Sequence, residues 1–177
     1  MKLIACVDMN WGIGYEGNLL YHIKDDLDNF KKLTTGGIVI MGKRTLDSLP
    51  GGKPLPNRIN IVLTSQDLDS GYDNLIYMHS KEEVLEYCNG KDNCYCIGGE
   101  SVYSLFINEC DAFYITYVLD ASKEADTYLF NFEEDGPDYC ETNHCDLIKV
   151  SGKNKYDEEN KVFYRYDVYM KTGNFDA

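Results

Sequence analysis

The order of apolar segments along the chain is the feature that most limits its fold. Short apolar and β-branched runs predict strands at 2–8, 37–42, 59–65, 74–79, 93–99, 112–118 and 161–171. Segments with helical spacing lie between them at about 25–35, 43–49, 80–88 and 100–108. This alternation is typical of a mostly parallel sheet covered by helices on both faces. The last run alternates strictly, which predicts an antiparallel edge strand with these residues on one face: Val162, Tyr164, Tyr166, Val168 and Met170.

We therefore predict an α/β fold. It has a single-domain, mostly parallel central sheet of about eight strands, an antiparallel C-terminal edge strand and about four flanking helices. A chain of 177 residues suits one domain with a sizeable core. We expect the domain to cover residues 1–171 and residues 172–177 to form a C-terminal tail.

Composition and charge exclude several classes of protein. A formal net charge of −13 argues against nucleic acid as a partner, because phosphates require a basic face. No stretch approaches the roughly 18 apolar residues of a membrane span, and the first apolar run is too short for a signal peptide. We expect a cytoplasmic protein, and a monomer because no surplus apolar stripe is visible. The seven cysteines are then reduced thiols, and without paired C-x-x-C spacing they predict no metal site.

One carboxylate in the first predicted helix stands where a core side chain belongs. In "DDLDNFKKL", the apolar stripe is Leu27, Phe30 and Leu33, and Asp26 falls on the same side. A carboxylate there loses hydration unless a polar group meets it, and burial raises its pKa into a range that suits proton transfer. The alternative is an acidic residue favoured by the helix dipole, which applies better to Asp25, a candidate N-cap.

Three strand ends carry candidate binding segments. "IGGES" (97–101) is either a phosphate cradle at a helix start or simply a tight turn. "GKRT" (42–45) places Lys43 and Arg44 where the helix dipole prefers negative charge, which indicates a bound anion unless the pair is merely solvated. "NWGIGYEGNLL" (10–20) is glycine-rich and predicts a mobile lid.

Taken together, these segments resemble the dihydrofolate reductase family over about residues 2–170. The most specific match is "VIMGKRTLDSLPGGKPLPNRINIVLTS" (39–65). The segment "DDLDNFKKLT" before it and the segments "CIGGESVY", "YITYV" and "EADTYLF" after it also match, and all of them occur in the family's order.

The resemblance implies an enzyme of folate metabolism. The expected reaction is NADPH-dependent reduction of 7,8-dihydrofolate to 5,6,7,8-tetrahydrofolate for one-carbon metabolism, with hydride transfer to C6 and protonation at N5. Antifolate inhibitors are plausible ligands. The alternatives are another pterin or pyrimidine reductase of the same fold, of the riboflavin-pathway type, and a non-catalytic module that binds folate or NADPH.

The resemblance also implies roles for individual residues. Catalytic roles fall to Asp26, Tyr21 and Thr116. The substrate-binding residues are Cys6, Leu27, Phe30, Leu49, Leu55, Arg58 and Ile97, with Arg58 holding a carboxylate of the substrate. The cofactor-binding residues are Ile13, Asn18, Leu19, Gly42, Lys43, Arg44, Thr45, Thr64, Ser65, Gly98, Gly99, Glu100, Ser101, Val102 and Tyr103. In the family, the glycine pair is commonly joined by a cis peptide.

The chain departs from the family pattern just before the Asp26 helix. Leu20-Tyr21 replaces Pro-Trp, and Lys24 replaces a second proline. Losing two prolines is expected to loosen the lid, because fewer backbone states are excluded. Glu100 adds a carboxylate beside the expected pyrophosphate site.

Overall fold

The computed structural model describes residues 1–173, which form a nine-stranded central sheet flanked by helices, with a small three-stranded sheet beside it. The elements of the first half are β1 (Lys2–Val7), β2 (Gly12–Tyr15), β3 (Asn18–Leu19), α1 (Lys24–Thr34), β4 (Ile38–Gly42), α2 (Lys43–Ser48), β5 (Ile59–Leu63) and β6 (Leu75–Met78). Those of the second half are α3 (Lys81–Cys88), β7 (Cys94–Gly98), α4 (Glu100–Phe106), β8 (Ala112–Val118), β9 (Thr127–Tyr128), α5 (Gly136–Asn143), β10 (Asp146–Ser151), β11 (Lys155–Asp157) and β12 (Val162–Thr172). Short 3-10 helices cover Pro50–Gly52 and Ile107–Glu109.

The sheet confirms the predicted fold class. Its strand order is β10-β12-β8-β1-β7-β4-β5-β6, and the six strands from β8 to β6 are parallel. β12 is antiparallel to β8, as its alternation predicts. The structure adds α5 and two antiparallel strands, β10 and β11, which pair with the outer side of β12. Strands β3, β2 and β9 form the separate small sheet.

The position of β1 determines where a ligand can bind. β1 lies between β7 and β8: the chain passes from β1 to β4 on one side of it, and later crosses from β7 to β8 on its other side. In open α/β sheets such a switch point opens a crevice at the carboxyl ends of the strands. The predicted glycine turns after β4 and β7 lie at that edge.

Apolar side chains bury both faces of the sheet. On one face, β-strand residues such as Leu3 and Ile40 pack with Phe106 of α4 and Tyr139 of α5. On the other face, Val39, Met41 and Val62 pack with Leu46 of α2. Helix α1 is different, because Thr34 is its only fully buried residue. Its apolar stripe therefore faces a cleft rather than a closed core.

The C-terminal strand differs from its predicted pattern in one respect. Val162 and Tyr164 are buried on the predicted face, but Met170 on that face is 39% exposed. In the second half of β12 the buried side chains are Asp167 and Tyr169, which point to the opposite face. Tyr169 stacks on Phe132 there, with ring centroids 5.1 Å apart, so both faces of β12 are covered in turn. The strand ends at Thr172, one residue into the segment 172–177 that was expected to form a tail. Residues 174–177 of that segment lie outside the described part of the chain.

Candidate active site

Asp26 is held on the inner side of α1 by a threonine of the central sheet. The Thr116 hydroxyl of β8 donates to Asp26 Oδ1 at 2.5 Å. Burial raises the pKa of Asp26, and the neighbouring Asp25 charge raises it further, while the Thr116 hydrogen bond acts in the opposite direction. Two of the residues to which the resemblance assigns catalytic roles are therefore in contact. The burial of Asp26 favours the protonated form of its carboxyl group.

The first turn of α1 corrects one expectation. Asp25 is not the N-cap, because the helix begins at Lys24 and the preceding Ile23 makes no side-chain cap. The Asp25 carboxylate instead accepts hydrogen bonds from Lys155, Tyr164 and Tyr166. A helix cap is a local pattern, whereas these partners lie more than 100 residues further along the chain.

Three neighbouring strands present a row of side chains toward Asp26. Thr116 pairs in register with Cys6 of β1 on one side and with Tyr166 of β12 on the other. Burial, followed by the Asp26 charge, raises the pKa of the Cys6 thiol well above its usual value, so Cys6 contributes a neutral wall. A cavity of about 30 Å³ lies between α1 and this part of the sheet, lined by Asp26, Phe30, Thr116 and Tyr166 among others. Such a volume is enough for a water molecule beside the carboxyl group.

Arg58 closes the other end of α1. Its side chain is buried, and Nε donates to the Thr34 hydroxyl at 2.7 Å while Nη1 donates to the Pro56 carbonyl at 2.7 Å. The guanidinium carbon lies 5.8 Å from the centroid of the Phe30 ring. Burial lowers the pKa of Arg58. Within residues 1–173 no carboxylate forms an ion pair with it, so a fixed cation without a counter-charge stands at this end of the cleft.

The apolar residues expected to contact substrate line the same region. Leu49, Leu55 and Ile97 pack around one cluster of the core. Leu27 on α1 is 43% exposed, which is high for a member of a helix's apolar stripe. Phe30 lines the cavity beside Asp26 and lies next to the Arg58 guanidinium, so it places apolar surface between the two groups.

The two glycine turns expected to hold the cofactor are neighbours. Met41 of β4 pairs with Gly98 of β7, so Gly42 and the Gly98-Gly99 pair lie side by side. The Gly98-Gly99 peptide is cis, as the resemblance implies. A Cβ on Gly99 would lie 3.5 Å from Thr45 Oγ1, and one on Gly42 would lie 3.3 Å from Val102 Cγ2. The starts of α2 and α4 thus approach each other with little side-chain bulk between them.

The other residues expected around the cofactor lie at adjacent strand ends. Thr64 and Ser65 follow β5, whose last residue, Leu63, pairs with Gly42, so they lie close to Lys43 and Arg44. Glu100 and Ser101 are exposed in the first turn of α4. Tyr103 is buried, donates its hydroxyl to the Ile4 carbonyl at 2.7 Å and packs against Gly98.

The predicted lid is a β-hairpin whose anchors the sequence analysis did not identify. Asn18 and Leu19 form β3, which pairs with β2, and Ile13 lies within β2. Asp126 accepts a hydrogen bond from the Glu16 amide at 2.8 Å. Asp8, which is 1% exposed, accepts one from the Gly12 amide at 2.8 Å. Carboxylates that bind loop amides leave no periodic signal in a sequence.

Tyr21 also has partners that the sequence analysis missed. Its side chain is buried, and its hydroxyl donates to Asp120 Oδ2 at 2.6 Å. Lys123 donates to the Leu20 carbonyl, and its Nζ lies 4.2 Å from the centroid of the Tyr21 ring. Burial and the Asp120 hydrogen bond raise the pKa of Tyr21, so this hydroxyl stays protonated. The segment that replaces Pro-Trp is therefore tied to the loop after β8.

Two negative observations apply to the described part of the chain. No group of three or more His, Cys, Asp or Glu side chains in residues 1–173 is arranged to hold a metal ion. In the same range, no helix is both long and apolar enough to cross a membrane.

Comparisons with known proteins agree with this arrangement. A family model described as dihydrofolate reductase matches residues 1–171. Dihydrofolate reductase from Bacillus subtilis (strain 168) is 32% identical over 177 residues, covering 100% of this chain and 98% of that protein. The Staphylococcus aureus enzyme is 33% identical over 136 residues, which are 76% of this chain and 81% of that protein. A solved structure of dihydrofolate reductase from Enterococcus faecalis, complexed with NADP(H) and RAB-propyl, aligns with a TM-score of 0.78 at 30% identity and covers 97% of this chain and 96% of that one.

Proposed function

The chain belongs to the dihydrofolate reductase family, and from this premise we propose how its own residues carry out the NADPH-dependent reduction of 7,8-dihydrofolate to 5,6,7,8-tetrahydrofolate. The assignment of roles rests on one observation: an acidic side chain and a cationic side chain lie at opposite ends of one apolar cleft. Asp26 on Thr116 stands at one end, and Arg58 beside Phe30 stands at the other. Dihydrofolate has a planar, nitrogen-rich ring at one end and carboxylates at the other, so its chemistry matches this order.

At the ring end, we assign Asp26 and Thr116 to the amino-pyrimidine edge of the pterin. A carboxyl group can meet two neighbouring N–H donors of a planar heterocycle at once, as it does with a guanidinium. Cys6 and Ile97 form walls around the ring, and Leu27, Phe30, Leu49 and Leu55 contact the apolar middle of the substrate. Arg58 binds a carboxylate of the glutamate moiety, and its existing bonds to Thr34 and Pro56 fix the guanidinium in advance.

The cofactor lies across the two glycine turns in this proposal. NADPH supplies the hydride that reaches C6 when it is bound. The amide groups at the starts of α2 and α4 favour phosphate oxygens, and the small residues at Gly42, Gly98 and Gly99 allow close approach. Lys43, Arg44, Thr64 and Ser65 surround the 2′-phosphate, which favours NADPH over NADH. Asn18 and Leu19 of the lid exclude water from the reacting rings.

Asp26 orients and polarises the pterin rather than delivering the proton to N5 itself. If it binds the amino-pyrimidine edge, N5 on the far ring is out of its direct reach. Its raised pKa increases the fraction of Asp26 that is protonated at a given pH, and water carries the proton to N5. The rate is then expected to fall as the pH rises through the raised pKa, because the protonated fraction of Asp26 falls.

A spectrophotometric assay tests the proposal. NADPH consumption is followed at about 340 nm with and without dihydrofolate, and again with NADH. The expected result is consumption that requires dihydrofolate and is slower with NADH. Asp26→Asn is expected to fold and bind NADPH but to lose most of its kcat at pH 7, with partial recovery at low pH. Normal turnover of this variant at pH 7 would show that Asp26 is not the acid.

The wider role follows from the same proposal. We assign the enzyme to tetrahydrofolate supply for one-carbon metabolism, as a cytoplasmic monomer that antifolates inhibit. Its seven unpaired thiols suit a reducing compartment. Competitive inhibition by a diaminopyrimidine, and the mass of the protein in solution, are the direct measurements.

A further inference from the structure

The start of helix α1 lacks the usual local support. The residue before the helix, Ile23, has no side chain that could accept a hydrogen bond from the first amides. Ser, Thr, Asp and Asn are the preferred residues just before an α-helix, because their side chains accept a hydrogen bond from a backbone N–H group that has no partner within the helix. The catalytic carboxyl group stands in this first turn, two residues after the helix begins. Something other than a cap must hold the turn in place.

The Asp25 carboxylate supplies this support through one oxygen atom. Its Oδ2 accepts from Lys155 Nζ at 2.7 Å, from the Tyr164 hydroxyl at 2.7 Å and from the Tyr166 hydroxyl at 2.9 Å. We call these four residues the Asp25 cluster. The three donors come from β11 and β12, so the cluster fastens α1 to the antiparallel end of the sheet.

The cluster is contiguous with the catalytic group. Tyr166 pairs in register with Thr116, which itself donates to Asp26, and Tyr166 lines the cavity beside Asp26. Lys155 Nζ also lies 4.8 Å from the centroid of the Tyr166 ring. Asp25 and Asp26 are thus adjacent in the chain, and one tyrosine, Tyr166, both donates to Asp25 and lines the cavity beside Asp26.

Asp25 is the charged neighbour that acts most on Asp26. The titratable groups around Asp26 are Asp25 on its own helix, Cys6 on β1, Tyr103 on α4, Tyr114 on β8, and Tyr166 and Asp167 on β12. The Asp167 carboxylate is already paired with Arg165 and Lys149. Burial raises the pKa of Cys6, Tyr103 and Tyr166, so all three are neutral at pH 7. The Lys155 hydrogen bond, with those of the two tyrosines, lowers the pKa of Asp25 to about 2. Asp25 is therefore ionised throughout the range in which Asp26 titrates.

We infer that Asp25 is a positioning residue for Asp26, because the Asp25 cluster both fixes the first turn of α1 on the sheet and keeps a negative charge beside Asp26 that favours its protonated form. The inference rests on the proposed function only in giving Asp26 the catalytic role. Asp25 touches neither substrate nor cofactor in this scheme. Lys155 is expected to moderate the effect, because a positive charge bound to Asp25 opposes the field of the Asp25 carboxylate at Asp26.

Two substitutions separate the charge effect from a simple loosening of the helix. Asp25→Asn keeps an oxygen for the tyrosine donors and removes the charge, so the pKa of Asp26 is expected to fall by about half a unit, or threefold in proton affinity. Lys155→Met removes the cation, so the pKa of Asp26 is expected to rise by a few tenths of a unit. If Asp25 only held the helix in place, the two substitutions would shift the pKa of Asp26 in the same direction or leave it unchanged.

The measurement is the pH titration of the Asp26 carboxyl carbon by NMR in the full chain without ligands, paired with the pH dependence of hydride transfer. Asp28→Asn is the matched control, because Asp28 lies on the same helix but its side chain is 61% exposed and paired with Lys24. Its effect on Asp26 is expected to be smaller than that of Asp25→Asn. In about 1 M KCl, the shift caused by Asp25→Asn is expected to shrink, because the Asp25 side chain is 52% exposed and salt screens it.

Opposite shifts in the two variants, with a smaller shift in Asp28→Asn, support the inference. Shifts of the same sign, no shift in either variant, or an equal shift in Asp28→Asn overturn it. The titration needs no turnover, so it tests the inference separately from the function. If wild-type protein consumes no NADPH with dihydrofolate, the proposed function fails whatever the titration gives.

Discussion

At the scale of single residues, the raised pKa of Asp26 has a cost in stability that its proposed catalytic role would explain. A buried carboxyl group whose folded pKa is raised binds protons more tightly in the folded state than in the unfolded state. Its contribution is therefore most favourable below the unfolded pKa and becomes unfavourable as the pH rises through the folded pKa. Functional sites often carry such local conflicts, which the rest of the fold offsets.

This cost predicts a stability gain for Asp26→Asn. The amide keeps an oxygen to accept from Thr116 and cannot ionise, so the unfolding free energy should rise by about 1.4 kcal/mol for each unit of the removed pKa shift. The gain should be larger at pH 8 than at pH 5. Urea unfolding of both proteins at the two pH values measures it, with the exposed Asp28→Asn as control. A variant that is less stable than wild type at pH 8 would contradict the prediction.

Lys43 and Arg44 are adjacent in sequence but differ in their existing partners. Lys43 already pairs with Asp47 one turn along α2. Arg44 is exposed, and it has no ion pair with a residue in the described range 1–173. Arg44 therefore has more of its charge available for a 2′-phosphate, and its guanidinium can donate two parallel hydrogen bonds to one phosphate group.

The expected consequence concerns the choice of cofactor. Arg44→Ala should raise the KM for NADPH by about tenfold, which corresponds to the loss of one charge-assisted hydrogen bond. Lys43→Ala should raise it less. Neither variant should change the KM for NADH comparably, because NADH lacks the 2′-phosphate. Steady-state kinetics with both cofactors test this, and a larger effect of Lys43→Ala would reverse the assignment.

At the scale of elements, the segment that follows the predicted lid lacks the two prolines that the family pattern leads us to expect. Side-chain contacts hold this segment in place instead. Tyr21 donates to Asp120, and Lys123 donates to the Leu20 carbonyl while covering the Tyr21 ring. These contacts connect the end of the lid to the loop after β8. A proline limits backbone freedom in the unfolded chain, whereas these contacts act only in the folded state. The lid can therefore be tightly held and still open when the contacts break.

Tyr21→Phe tests this connection. Removing the hydroxyl should weaken the attachment by about 1 kcal/mol, so amide hydrogen exchange in residues 18–22 and 119–124 should become about fivefold faster. Tyr128→Phe is the matched control, because the Tyr128 hydroxyl donates to the Ala125 carbonyl on the exposed side of the same loop. Equal exchange in wild type and Tyr21→Phe would show that the hydroxyl does not hold the lid.

The elements that the sequence predicted and those it missed differ in what stabilises them. Strands β1, β4, β5, β7 and β8 are apolar over most of their length because helices cover both faces, so composition alone identifies them. Strands β3, β9, β10 and β11 contain no fully buried residue, and they owe their form to pairing with β2 or β12. The same distinction applies to the site. Family motifs identified Asp26, Thr116, Arg58 and Phe30 as expected site residues. The partners of Asp25 and Tyr21 could not be anticipated, because no local pattern connects residues about 100 positions apart.

At the scale of the whole molecule, both ends of the chain contribute to the central structure. β1 is an interior strand, and its neighbour β8 is covered by β12, so the last strand joins the sheet beside the active site. The Asp25 cluster draws three of its four residues from β11 and β12. The geometry around Asp26 is therefore complete only after the C-terminal strand has paired, and most of these contacts join residues far apart in the chain, which carry a larger loop-closure cost.

The excess of acidic groups predicts how the whole molecule responds to salt. A net charge of −13 and an isoelectric point near 4.5 mean that the folded protein carries strong self-repulsion at pH 7. Raising KCl from about 10 to 200 mM shortens the screening length from roughly 30 Å to below 10 Å. The Tm at pH 7 should then rise by a few degrees, the change expected for about 1 kcal/mol in a domain of this size. Near pH 4.5 the net charge vanishes while ion pairs such as Lys149–Glu133 remain, so salt should leave the Tm unchanged or lower it. Calorimetry at both pH values distinguishes the two responses, and a Tm at pH 7 that does not rise with salt would mean that local ion pairs outweigh the overall repulsion.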